Sequence, residues 1–351
     1  MSDPLSPPVP IPDLTSGILA RVDRGAADVW LPDVASPGHE RHVRADLGHR
    51  VLTDAAADSE RQPVVGDDVR VQRLPEGRWV VDALLPRRTA ITRASVAPGS
   101  SQRQVLAANV DVVAVTEPVN AAPKPGRVER LLALAWESGA VPLVLLTKAD
   151  LARDIDDATA TVAATAPGVE VIACSATTGH GIEIFASILA EGTTVAFVGP
   201  SGAGKSSLVN ALAGSMVMDV GEVRSDHRGR HTTVHRELVV LPTGARVIDT
   251  PGLRTLGLAS AESLDQVFAD LEEFASGCRF GDCQHDTEPG CGVTSAIEAG
   301  VLDARRLESW RKLQREAAWL ERRHDARLRA QERAKWKSLS KQMRGHYRDR
   351  G

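Results

Sequence analysis

Long apolar runs are missing from this 351-residue chain. No stretch approaches the ~18 uninterrupted apolar residues of a membrane span; the apolar segment at 131–146 is broken by Glu137. Membrane-spanning functions are thereby excluded, and no membrane partner is expected. The opening residues, MSDPLSPPVPIPD, lack the basic start and apolar core of a secretory leader. A cytoplasmic protein is expected, with residues 1–14 a disordered lead-in. Cysteine is scarce: four in all, three of them between positions 278 and 291. So few, so clustered, argue against a disulfide framework and for metal ligands in a reducing compartment. A large net charge is lacking too, at −4, but the balance is uneven. Residues 311–351 hold 14 Lys and Arg against five Asp and Glu, a tail of +9 on a body of −13. A basic end on an acidic protein suggests local contact with a polyanion, RNA being the obvious candidate.

What is present centres on residues 194–208, TVAFVGPSGAGKSSL. A β-branched, aromatic-containing strand runs into Gly199-x-x-x-x-Gly204-Lys205-Ser206 and then a helical run, the frame a phosphate-binding loop requires. Glycines let backbone N–H groups approach an oligophosphate, and the helix N-terminus adds partial positive charge. Phosphate contacts are expected from Gly199, Ser201, Gly202, Ala203, Gly204, Lys205, Ser206 and Ser207, with Lys205 on the β/γ-phosphates and Ser206 a Mg²⁺ ligand.

Ahead of this loop, residues 15–105 show about five short alternating or β-branched runs separated by polar and Gly/Pro turns, which predicts a small barrel or sandwich. An OB-type barrel fits, and such barrels often bind RNA; Arg70, Arg73 and the Arg87-Arg88 pair are the candidate contacts. The alternative is a barrel that only packs or dimerises. After a linker at 98–102 the pattern alternates strand and helix: strands at 110–116, 141–146 and 169–173, helices at 127–137 and 155–166. That predicts a parallel sheet with helices on both faces.

The strand at 141–146 runs into Thr147-Lys148-Ala149-Asp150, at the strand end where doubly wound folds bind ligands. A carboxylate there accepts from guanine N1–H and the exocyclic amino group, a pair of donors that adenine lacks. Asp150 is therefore expected to specify guanine, with Lys148 along the base plane. The next strand ends in Cys174-Ser175-Ala176, where backbone N–H groups of Ser175 and Ala176 can hold the base oxygen. Beyond the phosphate loop, residues 221–236 read as a polar switch segment in which Thr232 or Thr233 completes the Mg²⁺ shell. A hairpin at 237–248 then delivers Asp249-Thr250-Pro251-Gly252. Asp249 is expected to hold Mg²⁺ through water, and Gly252 to donate its N–H to the γ-phosphate.

These are guanine-nucleotide motifs in a permuted order: TKAD and CSA come before the phosphate loop, GRHTT and DTPG after it. With the β-domain before and a Cys/His cluster after, the chain over roughly residues 15–345 resembles the ribosome small-subunit-dependent GTPases, the RsgA/YjeQ family. One departure is Thr147, where Asn is usual, so guanine affinity is expected to be lower. The residue after DTPG is Leu253, not the glutamine that orients the attacking water in Ras-type enzymes. Slow turnover by the isolated protein is expected, with His231 the catalytic candidate when a partner orders the segment; the alternative is that His231 meets only RNA or solvent.

Cys278-x4-Cys283-x-His285-x5-Cys291 supplies three thiolates and one imidazole, a closed and therefore structural Zn²⁺ set. Cys174 stands apart as a strand-end core residue. From residue 304 to about 346 the chain is helical and charged, with Trp310, Leu313, Ala317, Leu320 and His324 at helical spacing and a basic face running from Arg322 to Lys341. The expected organisation is an OB-type barrel at 15–105, a circularly permuted α/β P-loop GTPase at 106–262, and a zinc-binding helical module at 263–351. The resemblance implies a monomeric GTP hydrolase that binds the small ribosomal subunit and its rRNA, matures it at a late stage, and leaves as the GDP form. The competing readings are a nucleotide-gated rRNA-binding module with incidental turnover, and an ATP-dependent P-loop enzyme such as a kinase.

Overall fold

The structure, a computed structural model, describes residues 14–32, 40–94, 103–218, 236–248 and 261–319. The expected linker, His231, Thr232 and Thr233, Asp249 to Leu253, residues 1–13 and the basic face from Arg322 to Lys341 lie outside them.

Five strands, β1 (Thr15–Asp23), β2 (Ala26–Pro32), β3 (Glu40–Leu47), β4 (Asp68–Arg73) and β5 (Trp79–Leu84), close a barrel in the order β1-β2-β3-β5-β4. All neighbours run antiparallel except β3 and β5. This is the OB-type arrangement expected. Alternation does the work: Ala27, Val29 and Leu31 of β2 point inward to meet Leu19, Val69, Val71 and Val81. Helix α1 (His49–Ala57) closes one end of the barrel through Val51.

A hairpin of β6 (Ala90–Ala94) and β7 (Arg103–Ala108) carries the chain from the barrel into a six-stranded sheet. Its order is β10 (Val171–Cys174), β9 (Val141–Thr147), β8 (Val112–Pro118), β11 (Thr194–Val198), β13 (Arg246–Ile248), β12 (Leu238–Val240). Only the β12 edge is antiparallel. Val112 to Glu117 are all buried, as a strand covered on both faces demands. One face packs on α2 (Pro125–Glu137) and α3 (Ile155–Ala163), the other on α4 (Ile182–Ile188) and α5 (Lys205–Ala213). The chain passes from β8 outward to β9 and β10, then returns to β11 on the far side of β8. That places a topological switch point between β8 and β11.

The next segment forms two helices, α6 (Ala261–Val267) and α7 (Ala269–Ala275), broken at Phe268. The cause is a buried cation. Arg306, on the helix at 304–319, lies 4.5 Å over the Phe268 ring and donates to the Val267 carbonyl at 2.9 Å and to Asp270. The same guanidinium donates to Glu129 of α2 at 2.8 Å and to the Thr165 carbonyl at 3.0 Å. Burial works against its charge, but Asp270 and Glu129 hold its pKa above the usual arginine value. Arg130 and Glu316 pair across the same boundary. The C-terminal module thus shares the core of the nucleotide domain, with Leu264, Phe268, Leu271, Leu307 and Leu313 in one cluster with α2.

Arg306→Ala leaves the fully buried Glu129 short of its main counter-charge. A loss of about 3–5 kcal/mol is expected. Urea unfolding measures it, and adding Glu129→Gln should return part of the loss.

Candidate nucleotide site and metal centre

The phosphate loop leaves β11 at the switch point. A Cβ on Gly199 would sit 2.1 Å from Thr116 Oγ1 and 2.5 Å from the Thr116 carbonyl, so only glycine lets the loop lie against β8. Thr116 Oγ1 in turn donates to the Val198 carbonyl at 3.0 Å. Gly204 caps α5 with φ +85°, a left-handed turn that aims the helix start at the loop. Lys205 Nζ donates to the carbonyls of Gly199 (3.0 Å) and Pro200 (2.9 Å), which fixes the ammonium over the loop. Ser206 and Ser207 follow in the first turn of α5.

TKAD and CSA meet this loop from the side. Cys174 pairs with Thr147 at the matched ends of β10 and β9. Thr147, buried, donates from Oγ1 to the Ala203 carbonyl at 2.6 Å. Lys148 takes a left-handed turn, φ +61°, and Asp150 follows at the surface. Ser175 Oγ donates to Asp150 Oδ1 at 2.6 Å and accepts from the N–H groups of Thr177 and Thr178. The structure therefore joins Thr147 to Ala203 of the loop, Ser175 to Asp150, and Lys205 to the loop carbonyls. It changes one detail. The Ser175 N–H is committed to the His180 carbonyl at 2.9 Å, so Ser175 orients Asp150 through its hydroxyl instead of offering its own N–H. Thr116 was not legible as a site residue, because nothing local marks the strand that backs the loop.

Two of the four barrel arginines singled out from the sequence serve another purpose. Arg87 bonds the buried Asp67 twice, at 2.6 and 2.9 Å, and the carbonyls of Glu60 and Gln62. Arg88 pairs with Asp111. Arg87 braces the barrel's own connecting segment, and Arg88 ties it to the start of the sheet domain. Arg70 and Arg73 remain exposed on β4.

Cys278, Cys283, His285 and Cys291 converge, with one ligand atom of each within 4.8 Å of the others. His285 Nδ1 lies 3.5 Å from the sulfurs of Cys278 and Cys291, which are 3.9 Å apart. N–H groups of Gly292 and Thr294 point at Cys278 and Cys291 sulfurs, as thiolates require. Arg311 clasps the loop by donating to the His285 carbonyl at 2.7 Å. These four residues can hold one metal ion with no open position. Cys174 is buried far into the sheet core, and burial pushes its thiol up to about 12, as an inert core residue.

A family model described as RsgA GTPase matches residues 84–259. A Streptomyces coelicolor protein named small ribosomal subunit biogenesis GTPase RsgA is 45% identical over 333 residues, covering 92% of this chain and 86% of its own length. The protein of that name from Streptomyces avermitilis is 44% identical, covering 92% and 85%. The chain belongs to the RsgA GTPase family. As a member it is a GTP hydrolase on a circularly permuted frame. The solved YjeQ from Thermotoga maritima is 25% identical and aligns with a TM-score of 0.63 over 87% of this chain and 99% of that one. YloQ, described as a circularly permuted GTPase, shares the fold at 23% identity and a TM-score of 0.61. A model described as ABC transporter also matches residues 185–344. That span takes in the phosphate loop but neither TKAD nor CSA. No helix among the described residues is long and apolar enough to cross a membrane.

In this RsgA-family GTPase the Thr147 hydroxyl is the strut between base side and phosphate loop. Thr147→Val leaves the buried Ala203 carbonyl without its donor, a cost of about 1–3 kcal/mol. Fluorescent-GDP titration should show affinity falling about 5- to 100-fold, while Thr147→Ser stays near wild type.

Proposed function

We propose that this GTPase is a late maturation factor of the small ribosomal subunit: its GTP form binds the subunit and its rRNA, and hydrolysis releases it as the GDP form. The observation that carries this is the convergence of TKAD, CSA and the phosphate loop at one switch point, in a chain whose relatives are named for biogenesis of that subunit. The barrel at 15–105, the GTPase domain at 106–262 and the metal module with its tail at 263–351 are the working parts, in a monomer acting in the cytoplasm.

Asp150 accepts from the guanine N1–H and amino group, Lys148 lies along the base, and the Ala176 N–H meets the base oxygen. Thr147 acts on guanine indirectly, since its hydroxyl is engaged by Ala203. The loop N–H groups from Gly199 to Ser207, Lys205 and the Gly252 N–H hold the phosphates. Mg²⁺ sits on Ser206, with Thr232 or Thr233 and, through water, Asp249. His231 orders or activates the attacking water once the subunit fixes its loop, since Leu253 cannot.

The metal is Zn²⁺, in a structural role. Tetrahedral Zn²⁺ with bonds of about 2.3 Å to sulfur and about 2.0 Å to nitrogen gives edges of roughly 3.8 and 3.5 Å. The Cys–Cys and Cys–His separations of 3.9 and 3.5 Å fit that set.

GTP turnover with and without small subunits, beside an ATP control, tests the reading. Stimulation of at least about 10-fold, specific for GTP and lost in His231→Ala, is expected. No stimulation of folded, zinc-loaded protein would leave a nucleotide-gated RNA-binding module. Asp150→Asn tests the base assignment separately. An amide presents one donor and one acceptor, matching xanthine and not guanine, so GTP affinity should fall about 100-fold or more while XTP binding rises. Unchanged GTP affinity would remove Asp150 from the base pocket.

A further inference from the structure

Of the four metal ligands, His285 alone has a left-handed backbone. Its φ is +58°, in a region that residues other than glycine rarely adopt. Such a turn persists only where its surroundings over-determine it. Here it leaves the residue buried, with Nδ1 3.5 Å from the sulfurs of both Cys278 and Cys291.

Three groups that are not ligands close on this turn. The Glu288 carboxylate accepts from the Gln284 N–H at 2.9 Å and from the Asp286 N–H at 2.8 Å. Those residues flank His285, so one carboxylate spans the turn. Arg311 takes the carbonyls, donating to that of His285 at 2.7 Å and to that of Gln284 at 3.4 Å. Trp310 stands beside the imidazole, ring centroids 5.7 Å apart, and packs on the same apolar cluster as Cys278, Cys283 and Cys291.

Glu288 belongs to the metal loop, but Trp310 and Arg311 do not. They are neighbours on the helix at 304–319, and Arg311 is 26 residues from His285 in sequence. Nearer its start, that helix is fixed to α2, where Arg306 and Ser309 donate to Glu129. It therefore has one anchor in the nucleotide domain and one on a metal ligand. The first is a buried ion pair. The second depends on a backbone shape that is costly to hold.

We propose that Glu288 and Arg311 are positioning residues for the metal, and that filling the metal site and seating the 310–319 part of the helix are linked. The inference rests on the metal reading above. With the site filled, Nδ1 is tethered among the thiolates and the His285 carbonyl is presented to Arg311. With the site empty, the turn relaxes out of the left-handed region and Arg311 loses its acceptor. Linkage is reciprocal, so whatever unseats the helix also loosens the metal. The ion thus does more than staple a small loop: it holds the helix from which the basic tail runs.

The test uses the full chain, saturated with GDP, and the variants Glu288→Gln, Arg311→Gln and Arg311→Lys, with Arg315→Gln as a control on the same helix. Zn²⁺ affinity is read by competition with a coloured chelator. Glu288→Gln keeps one acceptor oxygen of two, and Arg311→Gln removes the cation. Each should weaken Zn²⁺ binding about 10- to 100-fold, with Arg311→Lys intermediate and Arg315→Gln within about twofold of wild type. Once stripped of metal, wild type and variants should melt together, whereas a merely structural brace would lower the stripped variants as much as the loaded ones. Hydrogen exchange follows the helix: in wild type, stripping should speed exchange at 310–319 while α3, in the sheet domain, stays protected. Equal Zn²⁺ affinities across the set, or a melting loss that persists without metal, overturns the positioning roles. Exchange at 310–319 that ignores the metal overturns the linkage. Wild type that takes up no Zn²⁺ overturns the metal reading and this inference with it, whereas tight uptake with equal variants defeats the inference alone.

Discussion

A phosphate loop works only if its carbonyls are occupied elsewhere and its N–H groups stay aimed inward. That constraint organises this molecule. The Val198 carbonyl is taken by Thr116, those of Gly199 and Pro200 by Lys205, and that of Ala203 by Thr147. Each donor comes from a different place: β8, the start of α5, and the end of β9. The loop therefore exists in working form only when three parallel strands are in register, and the register is set by apolar strands buried on both faces. Folding of the sheet and assembly of the site are one event.

The permuted chain order alters what the site is connected to. The strand bearing the phosphate loop is central in space but follows three other strands of its sheet in sequence. Among the described residues after β13, none joins the sheet. The chain enters α6 and α7, which bury Leu264, Phe268 and Leu271 against α2. Arg306 then ties the break between these helices to Glu129 and to the carbonyl of Thr165. With all its donors used and its ring contact to Phe268, that guanidinium makes the metal module a continuation of the nucleotide domain, not an appendage on a tether. Moving α6 and α7 away from α2 would break a buried ion pair, which is expensive.

Much of this was legible in the residues. Motifs such as GPSGAGKS and TKAD demand specific backbone chemistry, so they read through any fold. The five barrel strands and the sheet strands showed because burial forces an apolar pattern of period two or continuous runs. The four metal ligands showed because cysteine is otherwise scarce. What did not show are long-range pairings. Nothing beside Arg87 in sequence announces Asp67, and nothing near Arg306 announces Glu129, 177 residues away. The break at Phe268 is imposed by that distant cation, while its own neighbours suit a continuous helix. The Ser175 N–H was misassigned for a similar reason: its partner is the carbonyl of His180, set by a turn that the sequence shows only as polar.

The arginines of the barrel are mostly paired. Net charge is the wrong measure once pairs are counted. Arg44 is held by Asp23 and Asp28, Arg78 by Asp46 and Glu76, Arg87 by Asp67, and Arg88 by Asp111. Such pairs present little field beyond a few ångströms, because each cation is cancelled at contact distance. The charge that reaches outward comes from the residue left over. Among the described residues the cations left over include Arg70 and Arg73, exposed on β4. A body at −13 therefore repels nucleic acid in general while offering a few uncancelled cations in fixed places. That combination favours geometry over bulk attraction for any polyanionic partner: one that fits those places would gain the contacts, and one that does not would meet the net negative surface.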